Sequence, residues 1–349
     1  MTTAHGRKGD SSMRRPRPRL LMASATLTTL VLTGCGTAGS VGEPARNSAG
    51  RTLAAEEFMR LKTAPAKNGM TLLEGPTFDQ NGELIVVDVP APGGEPKVMR
   101  VDIEQKTSHS LFTDDRGAYT SAQFSPHDGR LYLTDFAHGE IVSLAPGGTD
   151  RRTFFTGPVD GARMQPDDIA FDRDGTLYIS DSRGLSDGAA IGRVVRIDRT
   201  GKNATVLADD LAAPNGISFD LDYRGLWVSE LIENRISYLH LGEKGGTGPR
   251  HTAIRVDGGI AQTDSIAVDA AGNIYQALHG RAAMAVYSPN GERLATVELP
   301  DGTEGLESAT NVAITPGATT AYLTVSGPAG GYLYTFEALA EGIRQSNGG

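Results

Sequence analysis

The chain has 349 residues, a formal net charge of −9 and one cysteine. Residues 1–34 hold six basic residues and one acidic residue, so the part that follows carries a net charge near −14. An acidic body of this kind repels nucleic acid, which argues against DNA or RNA as a partner. The single cysteine excludes a disulfide and a cysteine-based metal site within the folded part.

Residues 1–35 have the layout of a secretory signal, with a basic stretch ahead of a short apolar core at residues 20–32. The ending Leu32-Thr33-Gly34-Cys35 resembles a bacterial lipobox. It predicts that Cys35 is lipidated and becomes the mature N-terminus, so we expect an exported lipoprotein anchored to the outer face of the cell membrane. An ordinary secretion signal with a chance cysteine is the alternative. The pair Arg14-Arg15 leaves the export route, Sec or Tat, open.

The rest of the chain divides by composition. Residues 36–56 are small and polar, which is typical of a flexible tether. We predict a folded domain over residues 57–340 and a tail over residues 341–349. No apolar run after the leader approaches the roughly 18 residues needed to cross a bilayer, so the lipid is the only membrane contact that we expect.

A sixfold repeat fills the predicted domain. Each copy centres on an apolar anchor, and successive anchors are 46, 47, 48, 49 and 46 residues apart: Phe78, Phe124, Phe171, Phe219, Val268 and Ile314. A period this regular is typical of radial or stacked repeats. In the third copy we predict short strands at residues 169–171, 177–179, 193–197 and 204–207. Four antiparallel strands per copy predict one blade, so six copies predict an all-β, six-bladed β-propeller.

The last copy is one strand short of a blade. In the other copies an outer strand lies 12 to 17 residues ahead of the next anchor, and the same count back from Phe78 lands at residues 61–66. Pro65 disfavours a strand in the later part of that window. We therefore predict that an N-terminal strand within residues 58–63 completes the last blade and leaves no open edge between the first and last blades.

The residue four positions before each anchor opens each copy. Because the first strand of a propeller blade lines the central channel, these equivalent positions should converge at one mouth of it. They are Glu74, Thr120, Asp167, Asn215, Asp264 and Thr310. Carboxylates brought that close repel one another unless they are protonated or bridged by a cation. An all-oxygen set without His or Cys suits Ca²⁺ or Mg²⁺, and four protein ligands would leave positions open for water and substrate.

Other interpretations of these polar residues stay open. Asp, Asn and Glu often satisfy turns at strand ends, and each of the four alone is more often structural than functional. Their coincidence at one repeat position favours a metal centre. His138 and His279 follow the second strands of their blades and either line the same mouth or satisfy loops; the loop interpretation is favoured.

Short sequence motifs, most of them around the opening positions, show a resemblance to a known family. They are Glu74-Gly75-Pro76, Asp167-Asp168-Ile169, Pro214-Asn215-Gly216-Ile217, Thr263-Asp264-Ser265, Asp181-Ser182-Arg183-Gly184 and Tyr275-Gln276-Ala277-Leu278-His279-Gly280. Together they resemble the gluconolactonase/regucalcin (senescence marker protein) superfamily, most closely its bacterial drug-responsive lactonase branch, over about residues 73–336. The resemblance implies a six-bladed, calcium-dependent lactone hydrolase. In it Glu74, Asn215 and Asp264 are metal ligands, Ser265 neighbours the metal, and Asp167 is a metal-adjacent acid–base residue.

The chain departs from that branch in two places. The loop at residues 135–139 is shorter, and residues 159–164 show no obvious counterpart of the second calcium site built there. We therefore predict one central Ca²⁺, with Mg²⁺ or another divalent ion as the alternative.

The predicted activity is hydrolysis of a lactone or related small ester, of the EC 3.1.1 type. Asp167 is the predicted base that takes a proton from the attacking water, and Asp264 shares the metal and orients the nucleophile. Two rivals stay open: a phosphotriesterase-like hydrolase on the same fold, and a non-catalytic propeller scaffold in which the ion only stiffens the channel. We expect a monomer, and the sequence leaves the physiological substrate open.

Overall fold

The computed structural model describes residues 50–346, which form a ring of six β-sheets around a central channel. The predicted signal peptide, Cys35 and most of the predicted tether lie outside the described residues, as do residues 347–349. Helical structure in the described range is limited to a 3₁₀ turn at Glu243–Gly245. No helix in that range is therefore long and apolar enough to cross a membrane.

The strands follow one another in chain order. Two N-terminal strands come first: β1 (Arg51–Ala54) and β2 (Glu56–Lys62). Blade 1 comprises β3 (Leu73–Phe78), β4 (Leu84–Asp88), β5 (Pro96–Asp102) and β6 (Thr107–Thr113). Blade 2 comprises β7 (Tyr119–Phe124), β8 (Leu131–Asp135), β9 (Glu140–Leu144) and β10 (Arg152–Thr156). Blade 3 comprises β11 (Pro166–Phe171), β12 (Leu177–Asp181), β13 (Gly192–Ile197) and β14 (Ala204–Leu211).

The second half of the ring repeats this arrangement. Blade 4 comprises β15 (Pro214–Phe219), β16 (Gly225–Glu230), β17 (Arg235–Leu241) and β18 (Thr247–Arg255). Blade 5 comprises β19 (Gln262–Val268), β20 (Ile274–His279), β21 (Ala283–Tyr287) and β22 (Arg293–Glu298). Blade 6 has β23 (Ser308–Ile314), β24 (Thr320–Gly327) and β25 (Gly330–Glu337) from the C-terminal part of the chain.

The predicted fold class is confirmed, including the way the ring closes. The strand β2 pairs antiparallel with β25 and completes blade 6, and β23 contacts β3 of blade 1. The closing strand was predicted within residues 58–63 and occupies residues 56–62. The four strands predicted in the third copy are also present, each within a slightly longer strand of blade 3.

The limits predicted for the folded part, residues 57 and 340, need a correction at the N-terminal end. The strand β1 falls in the predicted tether, yet it runs parallel to β22 and adds a fifth strand to blade 5. The buried Ala55 joins β1 directly to β2, and its amide donates to the carbonyl of Glu298 at 2.9 Å. One extended segment therefore fastens blade 5 to blade 6.

The C-terminal end needs a similar correction, because residues 341–346 pack against the ring. Gly342 forms a bridge to Asp269, just beyond β19. The side chain of Ser346 is buried, and its Oγ accepts a hydrogen bond from the Val268 amide at 2.7 Å. Since Val268 is the last residue of β19, this segment lies at the end of the channel opposite Asp264.

Aromatic packing supports the closure between blades 6 and 1. The rings of Phe58 and Tyr322 lie 5.2 Å apart, and those of Phe78 and Tyr322 lie 5.9 Å apart, both edge to face. Such pairs contribute about 0.5–1.5 kcal/mol each beyond the burial of their area. Phe58 comes from β2, so the N-terminal strand is held by side-chain packing as well as by its backbone hydrogen bonds.

A buried carboxylate ends the second strand of each of blades 1 to 4. Each accepts a hydrogen bond from a backbone amide just ahead of its own blade's first strand, at 2.7–3.3 Å, and each has a basic partner at 2.6–3.0 Å. The pairs are Asp88 with Lys62, Asp135 with His138, Asp181 with Arg193 and Glu230 with Arg235. His138 thus fills the loop role predicted for it. Blades 5 and 6 carry Leu278 and Val325 at the equivalent position.

Candidate active site

The residues that open the six sequence copies lie at the starts of the six first strands. Five of them line one cavity at that mouth of the channel: Thr120 and the four with carboxylate or amide side chains, which are Glu74, Asp167, Asn215 and Asp264. None of these four is more than 8% exposed. The repeat therefore brings together the carboxylates and the amide that the sequence analysis singled out.

A β-bulge directs these side chains. In every blade one extra residue on the first strand interrupts its pairing with the second strand at or beside the opening position, as between Pro166 and Ile169 on β11. A bulge bends the strand and re-aims its side chains. Gly75 follows Glu74 with φ +51°, and a Cβ there would lie 2.5 Å from the amide nitrogen of Ala122 in the next blade. The bulged positions are therefore tightly packed from blade to blade.

Hydroxyl groups on the second strands hold the backbone at this mouth. Ser180 accepts a hydrogen bond from the Asp168 amide at 2.9 Å in its own blade and donates one to the Asn215 carbonyl in the next. Ser229 likewise donates to the Asp264 carbonyl at 2.6 Å. The acidic and amide side chains at the channel mouth therefore project from a backbone that is hydrogen-bonded from blade to blade, which limits their movement.

The two threonines among the opening residues use their hydroxyl groups to hold the backbone of a neighbouring blade. Thr120 Oγ1 donates to the Asp167 carbonyl at 2.9 Å. Thr310 Oγ1 donates to the Leu73 carbonyl and lies 2.8 Å from Thr324 Oγ1. The remaining four opening residues are left to face the channel mouth.

Side-chain contacts connect the four. Asn215 Nδ2 donates to Asp167 Oδ2 at 3.3 Å, and Asn215 Oδ1 accepts from Ser265 Oγ at 3.4 Å. Asp264 Oδ2 lies 3.5 Å from Nδ1 of His279, the last residue of β20. His279 also lines the cavity, so the loop interpretation favoured from the sequence is wrong for this residue.

The acids in this site raise one another's pKa. Burial raises the pKa of Glu74 well above its usual value, and the charges of Asp264 and Asp167 raise it further. Burial also raises the pKa of Asp167, again with a contribution from Asp264. The pKa of Asp264 is raised by burial, and its hydrogen bond with His279 offsets part of that while raising the pKa of His279. Without a cation, these acids hold protons at pH values where isolated carboxyls are ionised.

Asp168 is a further buried acid, and it lies one residue beyond the opening position of blade 3. Burial raises its pKa to about 6, although it accepts hydrogen bonds from Ser121 Oγ and from the Ile169 amide. The available signal was the doublet Asp167-Asp168, of which only the first member falls on the opening position. Asp168 therefore contributes to the negative charge just inside the mouth.

An unsatisfied oxygen indicates that a cation fits here. Glu74 Oε2 is buried and has no hydrogen-bond partner among residues 50–346, while the charges of Asp264 and Asp167 act on the same carboxyl. Carboxylates and an amide carbonyl are the ligands that Ca²⁺ and Mg²⁺ prefer. No three His, Cys, Asp or Glu side chains in that range are arranged as a ready metal cluster. An ion would therefore draw the carboxylates together and use the amide of Asn215.

A cavity of about 240 Å³ opens above the four residues. Its wall is largely apolar and contains Leu72, Val89, Phe136, Leu185 and Leu231. Among the described residues, no Lys or Arg lines it. Apolar walls over a few convergent polar groups are typical of a site for a small organic molecule.

Six antiparallel blades in a ring define a β-propeller. The buried acids and the amide at one mouth of its channel define a small-molecule site suited to a divalent cation. Residues 72–327 match the family described as the SMP-30/gluconolactonase/LRE-like region. Because this match spans most of the chain, the protein belongs to that family, and the resemblance noted in the sequence is confirmed.

Individual relatives agree with this assignment. The lactonase drp35 of Staphylococcus saprophyticus is 28% identical over 309 residues, which cover 86% of this chain and 91% of the relative. A structure of regucalcin from Agrobacterium tumefaciens, described as a calcium-binding protein, matches with a TM-score of 0.66 at 17% identity, over 85% of this chain and 99% of that one. A gluconolactonase from Xanthomonas campestris matches with a TM-score of 0.63 at 19% identity, over 84% and 99%. At these identities the structural matches establish the fold alone.

Proposed function

We propose that this protein is an enzyme that hydrolyses lactones with the help of one Ca²⁺ at the channel mouth. The observation that carries the proposal is the convergence of Glu74, Asp167, Asn215 and Asp264 beneath an apolar-walled cavity. Membership of the family and the similarity to proteins named lactonase support it. Glu74, Asn215 and Asp264 would hold the ion, with Ser265 beside Asn215. Bound there, Ca²⁺ polarises a carbonyl and stabilises negative charge on its oxygen, an effect worth several kcal/mol.

Asp167 is the proposed general base. It takes a proton from a water molecule as the water oxygen attacks the carbonyl carbon of the lactone. The acyl C–O bond of the ring then breaks, and the proton passes to the departing alkoxide, so lactone and water become a hydroxy acid. The hydrogen bond from Asn215 Nδ2 to Asp167 Oδ2 at 3.3 Å orients the base. A base placed in this way contributes about 10²–10⁴-fold to the rate.

His279 is proposed as the residue that orients Asp264. Its Nδ1 lies 3.5 Å from Asp264 Oδ2, and Gln276 Nε2 donates to the Asp264 carbonyl at 2.9 Å. Both contacts come from β20, the neighbouring strand of the same blade. Together they hold the side chain and the backbone of Asp264 in a fixed position. The carboxylate therefore loses less conformational entropy when it reaches the reactive geometry.

The cavity walls favour a lactone that carries an alkyl or aromatic group. Each methylene buried against Leu72, Val89, Phe136 or Leu231 is worth about 0.8 kcal/mol. The hydroxyl groups of a sugar lactone would lose water against these apolar walls, which is unfavourable wherever no polar side chain faces them. A phosphorylated lactone would meet carboxylates and neither Lys nor Arg in this cavity, as far as residues 50–346 are concerned.

Proton release from a panel of lactones tests the proposal. We expect turnover of alkyl- and aryl-substituted lactones, loss of turnover with a chelator, and recovery on addition of Ca²⁺. Absence of proton release from every lactone, in protein that has bound Ca²⁺, would overturn the proposal and favour the non-catalytic scaffold. Turnover of a phosphotriester but of no lactone would favour the phosphotriesterase-like alternative.

Export and lipid anchoring at Cys35 are part of the same proposal, and the leader sequence supports them. A Cys35→Ser variant should appear in the soluble fraction while the unaltered protein stays with the membranes. Equal membrane association of both proteins would contradict lipidation at this residue.

A further inference from the structure

A second cavity, of about 510 Å³, lies between blades 3 and 4. Its lining includes the turn between β11 and β12 and the loop that follows β17. Both segments lie at the strand ends farthest from Asp167, which is near the start of β11. This cavity therefore opens on the face opposite the proposed lactone site.

Cationic side chains gather around this cavity. Arg173, Arg196, Arg224 and Lys244 line it. Arg224 pairs with Asp222 at 2.5 Å, but the other three form no ion pair among the residues that the structure describes. The lining thus carries uncompensated positive charge in a chain whose net charge is −9.

Two acids also line the cavity, and one of them is already engaged. Asp172 Oδ1 accepts the amides of Asp174 and Thr176 at 3.0 and 2.8 Å, which closes the turn between β11 and β12. Asp174 is exposed at the tip of that turn. With Arg224 paired to Asp222, the three other cationic side chains still outnumber these two carboxylates.

Arg196 offers a donor that the protein itself leaves unused. Its Nε is buried and has no hydrogen-bond partner among residues 50–346. The side chain of Arg196 also interacts with the hydroxyl of Tyr178, which lines the same cavity. A guanidinium can present Nε–H and Nη–H as a fork that matches two oxygens of a phosphate. An anion in the cavity would satisfy this donor.

The loop after β17 packs closely beside Arg196. Lys244 has φ +57° and ψ +31°, a left-handed conformation that a lysine rarely adopts. Gly245 has φ +70°, and a Cβ there would clash with Tyr178 Oη and lie 3.4 Å from Arg196 Nε. Only glycine therefore lets the loop lie this close to Tyr178 and Arg196, and the backbone of Lys244 is strained as at many binding sites.

We propose that this cavity binds a phosphate group, with Arg196 and Lys244 as the principal contacts. Arg173, whose guanidinium lies 4.5 Å from the centre of the Tyr223 ring, forms one side of the site. Phosphate is selected over an apolar ligand because the binding groups are charge-assisted donors. Soluble phosphate esters and the headgroups of anionic phospholipids offer the same chemistry, and the experiment separates the two sources.

The test measures phosphate binding to the whole protein by calorimetry. Arg196→Gln and Lys244→Gln should each weaken the binding of inorganic phosphate by about tenfold, since one charge-assisted hydrogen bond is lost. Gly245→Ala should weaken it without a change in charge. Arg199→Gln, which removes an exposed charge just beyond β13, is the matched control and should bind as the unaltered protein does. Lactone turnover should be unchanged in all four variants, which also shows that they fold.

Vesicles identify the source of the phosphate. Stronger binding to phosphatidylglycerol vesicles than to phosphatidylcholine vesicles would assign the site to a lipid headgroup, provided that Lys244→Gln abolishes the difference. Phosphate binding without that excess would assign it to a soluble ligand. The proposal is overturned if neither millimolar phosphate nor the anionic vesicles bind. It is also overturned if Arg199→Gln weakens binding as much as Arg196→Gln and Lys244→Gln do, because that result indicates general attraction to positive charge.

Discussion

Replacement of Asp167 by Asn separates the proposed base from the proposed metal ligands. The amide has nearly the shape of the carboxylate, and its Oδ1 can still accept the hydrogen bond that Asn215 Nδ2 donates at 3.3 Å. It cannot accept a proton from water. The variant therefore tests proton transfer with little change in the surrounding structure.

The expected loss in kcat is about 10²–10⁴-fold, the usual contribution of a general base. This corresponds to about 3–5 kcal/mol in the activation free energy. Stability should change in the other direction. Burial and the charge of Asp264 raise the pKa of Asp167 well above its unfolded value, so above that value ionisation of Asp167 opposes folding. At neutral pH the calcium-free Asp167→Asn protein should therefore unfold at a higher temperature than the calcium-free unaltered protein.

Three measurements check this prediction: kcat by proton release at saturating lactone, Ca²⁺ affinity by calorimetry, and the unfolding temperature by circular dichroism. Asp174→Asn makes the same chemical change at an exposed turn of the same blade and should leave all three unaltered. A kcat within tenfold of the original would refute the assignment of Asp167 as the base. Loss of Ca²⁺ binding in parallel with kcat would instead make Asp167 an essential ligand.

Three further predictions concern the ion, the bulge and the closure. Removal of Ca²⁺ with a chelator should lower the unfolding temperature as well as turnover, because the buried acids lose their counter-charge; calorimetry that showed no shift would contradict the metal site. Gly75→Ala should lower the free energy of unfolding, measured in urea, by about 2–4 kcal/mol, since φ is +51° and the Cβ would lie 2.5 Å from the Ala122 amide nitrogen. The control Gly82→Ala, at φ +84° with open space around it, should lower it by only about 1–2 kcal/mol. A chain that begins at residue 63 should aggregate because blade 6 lacks β2, while one that begins at residue 50 should remain folded; equal solubility would show that β2 is dispensable.

Much of the fold and part of the site follow from the repeat alone. A period of 46 to 49 residues makes positions in successive copies geometrically equivalent. For this reason the six blades, the strand that completes the last blade and the convergence of Glu74, Asp167, Asn215 and Asp264 could all be predicted. Equivalent positions in the copies can be identified without knowledge of any individual contact. It requires only that each copy folds in the same way and that the ring closes.

The tertiary structure decided the features that break the repeat. His279 lies beside Asp264 in a blade where Leu278 replaces the usual acid, and the pKa of Asp168 is raised by burial in the assembled ring. The fastening of blade 5 by β1 and the packing of residues 341–346 beneath the channel likewise have no counterpart in other copies. Each of these depends on contacts between residues far apart in the chain and made once. Local sequence patterns carry no signal for such contacts, because their energy comes from burial and charge in the assembled ring.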